Sequence, residues 1–377
     1  MVDTVRIEDA HARYKGFFLN LKKTSRDAQQ TLHPQIYTDP DFLEVELLEI
    51  FQKEWLCVGR ADEVPTKGNY TTTKLLGEPL IVVRSNENTI KVLSNICRHR
   101  CMQVASGSGK TRGFSCPYHA WRYDLEGQLI NAPLMTAENF SLDEHRLKEI
   151  KSEIWQGFIY VNLDGNAEPL APRLTELDKI LANYHTDEMI HHFVEEDIWE
   201  ANWKALVENF MEGYHLSFVH PGTLRPITPT KQAKKLPDGP GFTAYAADYE
   251  DGYTARRYDH KDLTEEERNR STLFCVFPSQ VVSQSPHLLV YMAIQPLTVN
   301  QLKIRWSISV RDSEMIETEF DKLLTLWKQV NQEDKVKLEI LQQNLTSMHA
   351  DTGPLAQEDL EGTIKDFHRY LAKRLNA

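Results

Sequence analysis

The chain is short of the features that would carry it out of the cell or into a membrane. No run in its 377 residues approaches the roughly eighteen consecutive apolar positions that a membrane-crossing helix needs. Cysteine is scarce: Cys57, Cys97, Cys101, Cys116 and Cys275 are five, an odd number scattered through a large chain, which excludes a disulfide framework. The first thirty residues lack the apolar h-region of a signal peptide. A reducing cytoplasm is therefore the expected location, and the Asn-x-Ser/Thr triplets at Asn69, Asn139 and Asn344 meet no glycosylating compartment there. Positive charge is in deficit, with 43 Lys and Arg against 55 Asp and Glu, a net −12 that argues against a general nucleic-acid binder. Neither nucleic acid nor membrane is expected as a partner. The acidic balance tolerates a cationic substrate without demanding one, and a solvated surface that aids solubility is the blander reading. Nucleotide signatures fail as well. The Gly-Lys-Thr at 109–111 has Val104 where a P-loop requires glycine, and GPGFTA at 239–244 follows KKLPD rather than a strand.

Apolar residues at 41% suffice for a core, and the length allows two domains. DPDFLEVELLEIFQKEW (39–55) has apolar residues at helical spacing with Asp39 or Asp41 as a cap. Short β-branched or alternating runs follow to about 165, among them YTTTKLL, PLIVVRS, TIKVLSN and GFIYVNL, separated by Gly, Asn and Pro. Beyond 170 the pattern is mixed: helical over RLTELDKILANY and ANWKALVENFMEGYH, irregular and charged over 225–270, strand-like over 271–311, then helical over 313–348 and 359–374. The expected class is α+β, a small all-β domain and a larger α+β domain with an antiparallel sheet and helices. The expected limits are a helical N-terminal segment at 1–45 packing on the larger domain, the β domain at 46–165 and the larger domain at 166–377.

The most informative stretch is CRHRCMQVASGSGKTRGFSCPYHAW, residues 97–121. Structural zinc sites usually pair like with like, whereas here Cys97 stands with His99 and, sixteen residues further, Cys116 with His119. A Rieske [2Fe–2S] cluster wants that mixture, because two thiolates hold one iron and two imidazoles the other. Neutral imidazole in place of anionic thiolate raises the potential into roughly −150 to +300 mV. Zinc, or no metal, are the alternatives for the same four residues. The second informative stretch is ANWKALVENFMEGYHLSFVHPG (201–222). Oxygen chemistry needs a metal with open positions, typically iron(II) held by two His and a carboxylate. On a helix Glu212 and His215 share a face, while His220 lies about 140° further round, so the helix must bend or stop near 217–219 for both rings to reach one ion. Pro221-Gly222 favours a stop there.

From IYTDPDF through NICRHR and CPYHAW to about residue 350, the chain resembles the oxygenase (alpha) component of Rieske non-haem iron oxygenases. One departure is visible, since the family commonly has Gly where this chain has Cys101. The resemblance implies a helix-grip catalytic domain and a third iron ligand on the helix containing QVNQEDKVKLEILQQNL, where Asp334 aligns best and Glu333 is the nearest rival. It also implies that Glu212 links His215 to His119 of the partner subunit as the route for the electron, and hence a ring, commonly a homotrimer. Most ring-hydroxylating relatives have Asp at that position. Glu212, with the words ANWK, YH and HPG and the EDxxxxExxQ spacing at Asp334, is similar to the carnitine monooxygenase and quaternary-ammonium oxygenase group.

The activity so implied is that of a terminal oxygenase. Electrons come from NAD(P)H through a separate reductase, O2 is co-substrate, and a small amine or quaternary ammonium compound is hydroxylated, with C–N cleavage if the attacked carbon adjoins nitrogen. Aromatic residues are plentiful enough (7 Trp, 14 Tyr, 15 Phe) to build a cation–π box, though such residues more often make core. A hydroxylase or demethylase of an aromatic acid is the alternative. A simple Rieske electron carrier is a remote one, since a carrier needs no second iron site. The pocket is expected from residues 223–260 and 271–310, with Tyr214 and Phe218 flanking the iron ligands.

Overall fold

The computed structural model describes residues 4–253 and 260–375. The chain forms two compact units, one of Cys57–Ala167 and one of Met1–Leu56 with Glu168–Ala377. The smaller unit is β-rich. Strands β1 (Trp55–Arg60), β2 (Asn69–Leu75), β3 (Glu78–Asn86), β4 (Thr89–Ser94), β5 (Ser108–Lys110), β9 (Glu149–Trp155) and β10 (Phe158–Asn162) make one sheet in the order β1-β10-β9-β4-β3-β2-β5. A second, three-stranded sheet joins β6 (Phe114–Ser115), β7 (Arg122–Tyr123) and β8 (Leu129–Asn131). Ile81, Val83 and Leu93 from the first sheet and Phe114, Tyr123 and Leu129 from the second bury one common core, to which Cys97, Cys116 and Trp121 also belong.

The larger unit begins with helices α1 (Thr4–Lys23), α2 (Gln35–Thr38) and α3 (Pro40–Glu46). Asp39 caps α3, accepting from the Asp41 N–H at 2.9 Å, and Pro40 fills the first helical position, where its missing N–H does no harm. A π-helical turn over Leu47–Phe51 extends α3. The larger unit keeps the chain as far as Leu56, eleven residues past the expected boundary at 45. The reason is packing and charge. Glu46 is buried against the Lys204 ammonium at 2.7 Å and the Trp203 indole N–H at 2.9 Å, and the Phe51 ring meets that of Trp203 at 4.8 Å. Buried Glu54 is held by Arg173 at 2.7 Å and Arg374 at 3.0 Å. Removing either partner of such a buried pair would strand a charge in the core.

After α4 (Thr175–Leu181) a seven-stranded antiparallel sheet follows: β11 (Ile190–Trp199), β12 (Ala233–Lys235), β13 (Phe242–Asp248), β14 (Arg270–Val276), β15 (Gln280–Gln284), β16 (Leu288–Thr298) and β17 (Gln301–Val310), in the order β11-β17-β16-β15-β14-β13-β12. GPGFTA is the turn entering β13, closed by a Gly239–Phe242 bridge. Helix α5 (Trp203–Phe210) touches β15 and β16, and α10 (Glu358–Arg374) covers β12 and β13; between them in sequence come α6 (Leu216–Val219), α7 (Glu265–Arg268), α8 (Glu314–Thr318) and α9 (Phe320–Asn344). Among the described residues no helix is long and apolar enough to cross a membrane.

Candidate metal centres

Cys97, His99, Cys116 and His119 lie on two loops of one design. In the first, the Cys97 N–H donates to the Met102 carbonyl at 2.8 Å, and the Cys101 N–H returns to the Cys97 carbonyl at 3.1 Å. In the second, the Cys116 N–H donates to Trp121 at 2.8 Å and the Ala120 N–H returns to Cys116 at 3.0 Å. Antiparallel pairing closes both, through Ile96–Gln103 and Ser115–Arg122. The fourth residue after each cysteine is left-handed, Cys101 at φ 55° and Ala120 at φ 56°. That explains the glycine expected at 101: the loop turns there through a conformation only glycine adopts without strain.

The two loops bring the imidazoles together, with the Nδ1 atoms of His99 and His119 3.1 Å apart. Trp121 stacks on His99 at 5.0 Å and so fixes its plane. Both thiols are buried while both imidazoles are half-exposed. The Tyr123 hydroxyl accepts the Arg98 N–H at 3.0 Å, which leaves its own proton for Cys97 Sγ at 3.3 Å. Burial pushes the Cys97 thiol up, and this hydrogen bond pulls it back toward the thiolate. Two buried sulfurs and two facing imidazole nitrogens are the donor set of a mixed cluster.

The second set departs from the expected helix. α5 stops at Phe210 and a new turn starts at Leu216, so Glu212 and His215 do not share a helix and the break lies at 211–215, not near 217–219. Two contacts impose it. A Cβ at Gly213 would run into Ala233, and the Gly213 N–H is drawn to the Leu360 carbonyl of α10 at 3.0 Å. Glu212 then starts the next turn, its Oε2 accepting the N–H groups of Tyr214 and of His215, the latter at 3.0 Å. His215 and His220 bracket α6, with ring centroids 5.2 Å apart, and α9 brings in Asp334. The three donor atoms all lie within 4.8 Å of one another.

Each imidazole is clamped from behind. His215 Nδ1 meets Glu212 Oε1 at 2.5 Å, and His220 Nδ1 meets Glu333 Oε2 at 2.7 Å. With a proton on each Nδ1, both Nε2 atoms present lone pairs, and they face Asp334 Oδ1 at 3.7 and 3.1 Å. That oxygen is buried and accepts no hydrogen bond. Three acceptors turned on one point call for a cation, and the residues fit a two-His, one-carboxylate metal centre. Burial lowers the pKa of His215, but the charge and hydrogen bond of Glu212 and the charge of Asp334 outweigh it and raise the net value. Glu333 faces away from the centre. Besides His220 it accepts the Thr223 hydroxyl at 2.7 Å and the Gln329 amide at 3.0 Å, and these bonds outweigh burial and hold its carboxyl below the usual range. Sequence reasoning missed this role; the signal was the Glu333-Asp334 pair, two adjacent carboxylates aimed about 100° apart on a helix.

A cavity in the same unit is lined in part by Leu216, the residue that follows His215. Its aromatic side consists of Tyr245, Tyr249 and Tyr253 with Trp327. The Tyr249 and Tyr253 rings meet edge to face at 5.0 Å, and the Tyr245 hydroxyl reaches the Glu212 carbonyl at 3.4 Å. Lining residues come from both stretches expected to form it and also from α9; positions 254–259 of the first stretch lie outside the described residues. Tyr214 and Phe218 are 49% and 74% exposed and do not line this cavity.

A cluster cradle in a β unit and a two-His, one-carboxylate centre in an antiparallel α+β unit define the class of Rieske-type oxygenase components. The family comparisons agree. Residues 54–151 match the Rieske [2Fe-2S] domain and residues 181–377 the ring hydroxylating alpha subunit (catalytic domain). The chain belongs to the ring-hydroxylating alpha-subunit family, whose Rieske domain carries a [2Fe–2S] cluster and whose catalytic domain carries a mononuclear iron. It is 36% identical over 203 residues to the glycine betaine monooxygenase oxygenase subunit of Chromohalobacter salexigens, covering 54% of this chain and 46% of that one. To the carnitine monooxygenase oxygenase subunit of Escherichia coli (strain K12) it is 33% identical over 198 residues, 51% of this chain and 52% of that one. The matches thus span about half the length of these relatives. A solved quaternary ammonium Rieske monooxygenase shares the fold at TM-score 0.83 and 24% identity, covering 93% of this chain and 96% of that one.

Proposed function

We propose that the chain is the terminal oxygenase of a system that hydroxylates a small amine or quaternary ammonium compound, of the carnitine or betaine type, with O2. In this reading Cys97, His99, Cys116 and His119 hold the [2Fe–2S] cluster, and His215, His220 and Asp334 hold the mononuclear iron. The cluster supplies single electrons and the iron supplies oxygen activation. Glu212 already orients His215 through Nδ1, and its Oε2 is anchored by the N–H groups of Tyr214 and His215, so the carboxylate is held in one place. That geometry suits a bridge to His119 of the partner subunit in a homotrimer, with the half-exposed imidazole edge of the cluster cradle as the facing surface. Electrons come from NAD(P)H through a separate reductase, and the location is cytoplasmic.

The observation that supports the substrate class is the aromatic lining of the cavity that Leu216 borders. Tyr245, Tyr249, Tyr253 and Trp327 line it, and an aromatic face turned to a bound cation is worth on the order of 0.5–2 kcal/mol depending on desolvation. Leu216, Leu224 and Leu288 complete an apolar wall suited to N-methyl groups. Burial pushes the Tyr245 hydroxyl up, so it stays protonated and adds no charge beside the substrate. Hydroxylation of the carbon next to nitrogen yields a carbinolamine. Its C–N bond breaks as the hydroxyl proton leaves, giving an aldehyde and an amine.

The test is a single turnover of chemically pre-reduced, iron-replete protein with O2 and either quaternary amines (carnitine, betaines, choline) or simple aromatic acids, with products read by mass spectrometry. An oxygenated or C–N-cleaved amine is expected. Turnover of an aromatic acid alone would sink the quaternary-ammonium reading.

A further inference from the structure

The larger unit holds a second convergence of metal-type donors, away from the iron ligands: His185, His260 and Asp262. His185 opens the 3-10 turn Thr186–Glu188 between α4 and β11, and its backbone is left-handed at φ 45°, a conformation uncommon for histidine. His260 and Asp262 stand just before the capped start of α7. We infer that these three side chains form a divalent-cation site, for zinc or a similar borderline metal, which the oxygenase function neither uses nor explains.

The argument begins with geometry. His185 Nε2 lies 2.9 Å from Asp262 Oδ2, and His260 Nδ1 lies 3.6 Å from the same oxygen. One hydrogen-bonded ion pair accounts for the first distance but not the second. Tetrahedral zinc with bonds of about 2.0–2.1 Å sets its donors about 3.3 Å apart, and the two distances straddle that edge. The imidazole centroids lie 4.1 Å apart with the planes tilted 47°. Two imidazoles so close repel if both are protonated, whereas a shared cation holds them together. The Asp262 backbone N–H reaches His260 Nδ1 at 3.2 Å and orients the ring, a contact that a metal bound at Nδ1 would replace. Glu188 Oε1 lies 3.7 Å from His185 Nδ1 and adds negative charge beside the first ring.

The backbone beneath the three donors is pinned. Arg311 donates to the carbonyls of Tyr184 and His185, the latter at 3.2 Å. Arg268 donates to the carbonyls of His260 at 3.4 Å and Lys261 at 3.0 Å. Side-chain exposures of 31% for His185 and 21% for His260 leave room for water in the fourth position without leaving the rings adrift. Two imidazoles, one carboxylate and water suit zinc; copper(II) and nickel(II) would bind the same set, magnesium and calcium poorly. The bound metal would tie the turn before β11 to the segment before α7.

The experiment uses the full chain with cluster and iron in place, dialysed against a series of Zn2+ concentrations. Bound zinc and iron are counted by elemental mass spectrometry, and Tm is read alongside. The expected result is a single saturable zinc per chain, unchanged iron content and cluster absorbance, and a Tm that rises with zinc. His260→Gln and, separately, Asp262→Asn should each weaken zinc binding by about tenfold or more, at least the effect of removing an outer-sphere partner elsewhere, with iron retained. Cobalt(II) in place of zinc should give the visible absorption of a four-coordinate site, lost in both variants. Absence of saturable zinc in the unmodified protein overturns the site, as does zinc gained only when iron is lost. Zinc binding indifferent to both substitutions overturns it equally. None of these outcomes depends on which substrate the oxygenase takes.

Discussion

In the proposed assignment the cluster cradle and the iron centre solve one problem, presenting nitrogen and anionic donors to iron, by opposite means. In the cradle every donor falls within Cys97–His119, and backbone hydrogen bonds close each loop before any side chain is considered. In the iron centre Asp334 is more than a hundred residues from the histidines, and hydrogen bonds that the imidazoles donate to Glu212 and Glu333 do the aiming. The first is a local construction repeated twice. The second is an assembly that exists only when α6 and α9 are packed. Loss of a donor should therefore stay confined to its own centre, and loss of an aiming partner should be felt only at the second.

Four substitutions test that contrast, in falling order of effect. Cys116→Ser should abolish the cluster and its visible absorption, leaving the mononuclear iron as the whole iron content; loss of both metals together would contradict the independence of the two centres. Asp334→Ala should do the reverse, with the cluster spectrum intact, mononuclear iron lost to dialysis and turnover at background. Glu212→Gln should keep both metals yet lower turnover by about 100-fold, the upper range for an outer partner of a metal ligand, with the cluster left reduced in the presence of O2 and substrate. Glu333→Gln should weaken iron(II) binding by about 10- to 100-fold while turnover returns at excess iron(II). If excess iron fails to rescue it, Glu333 does more than position His220.

The smallest effect belongs to the cradle. Cys101→Gly removes a Cβ from a left-handed position and should raise stability by about 0.5–1 kcal/mol in denaturant titration, with the cluster spectrum unchanged.

The contrast also accounts for what the sequence disclosed. The cradle was legible because its spacing is its geometry: Cys-x-His and Cys-x-x-His each fit one loop, and the strands around them announce themselves by alternation. His215 and His220 were legible as a pair. The path between them was not, because helical periodicity runs on through 201–215 and the chain is broken by tertiary contacts, Gly213 against Ala233 and the pull of the Leu360 carbonyl. The extent of the larger unit was hidden for a like reason. Nothing local in residues 46–56 says that Glu46 and Glu54 will meet Lys204 and Arg173 from distant elements. Asp334 came from resemblance alone, and the part of Glu333 emerged only once the face of α9 toward His220 was visible.

Placing Glu333 and Asp334 side by side makes α9 a ruler. Neighbouring helical residues differ by about 100° in direction and about 1.5 Å in height, so one turn serves the ion and the back of a histidine at once. Adding or deleting a single residue between Phe320 and Glu333 would rotate both carboxylates off their marks and swing Trp327 with them. By this geometry the length of the helix before Asp334 constrains the site more than its outward side chains do. Length variation among related chains belongs before Phe320 or after Asn344, and an engineered loop or tag insertion is best placed there.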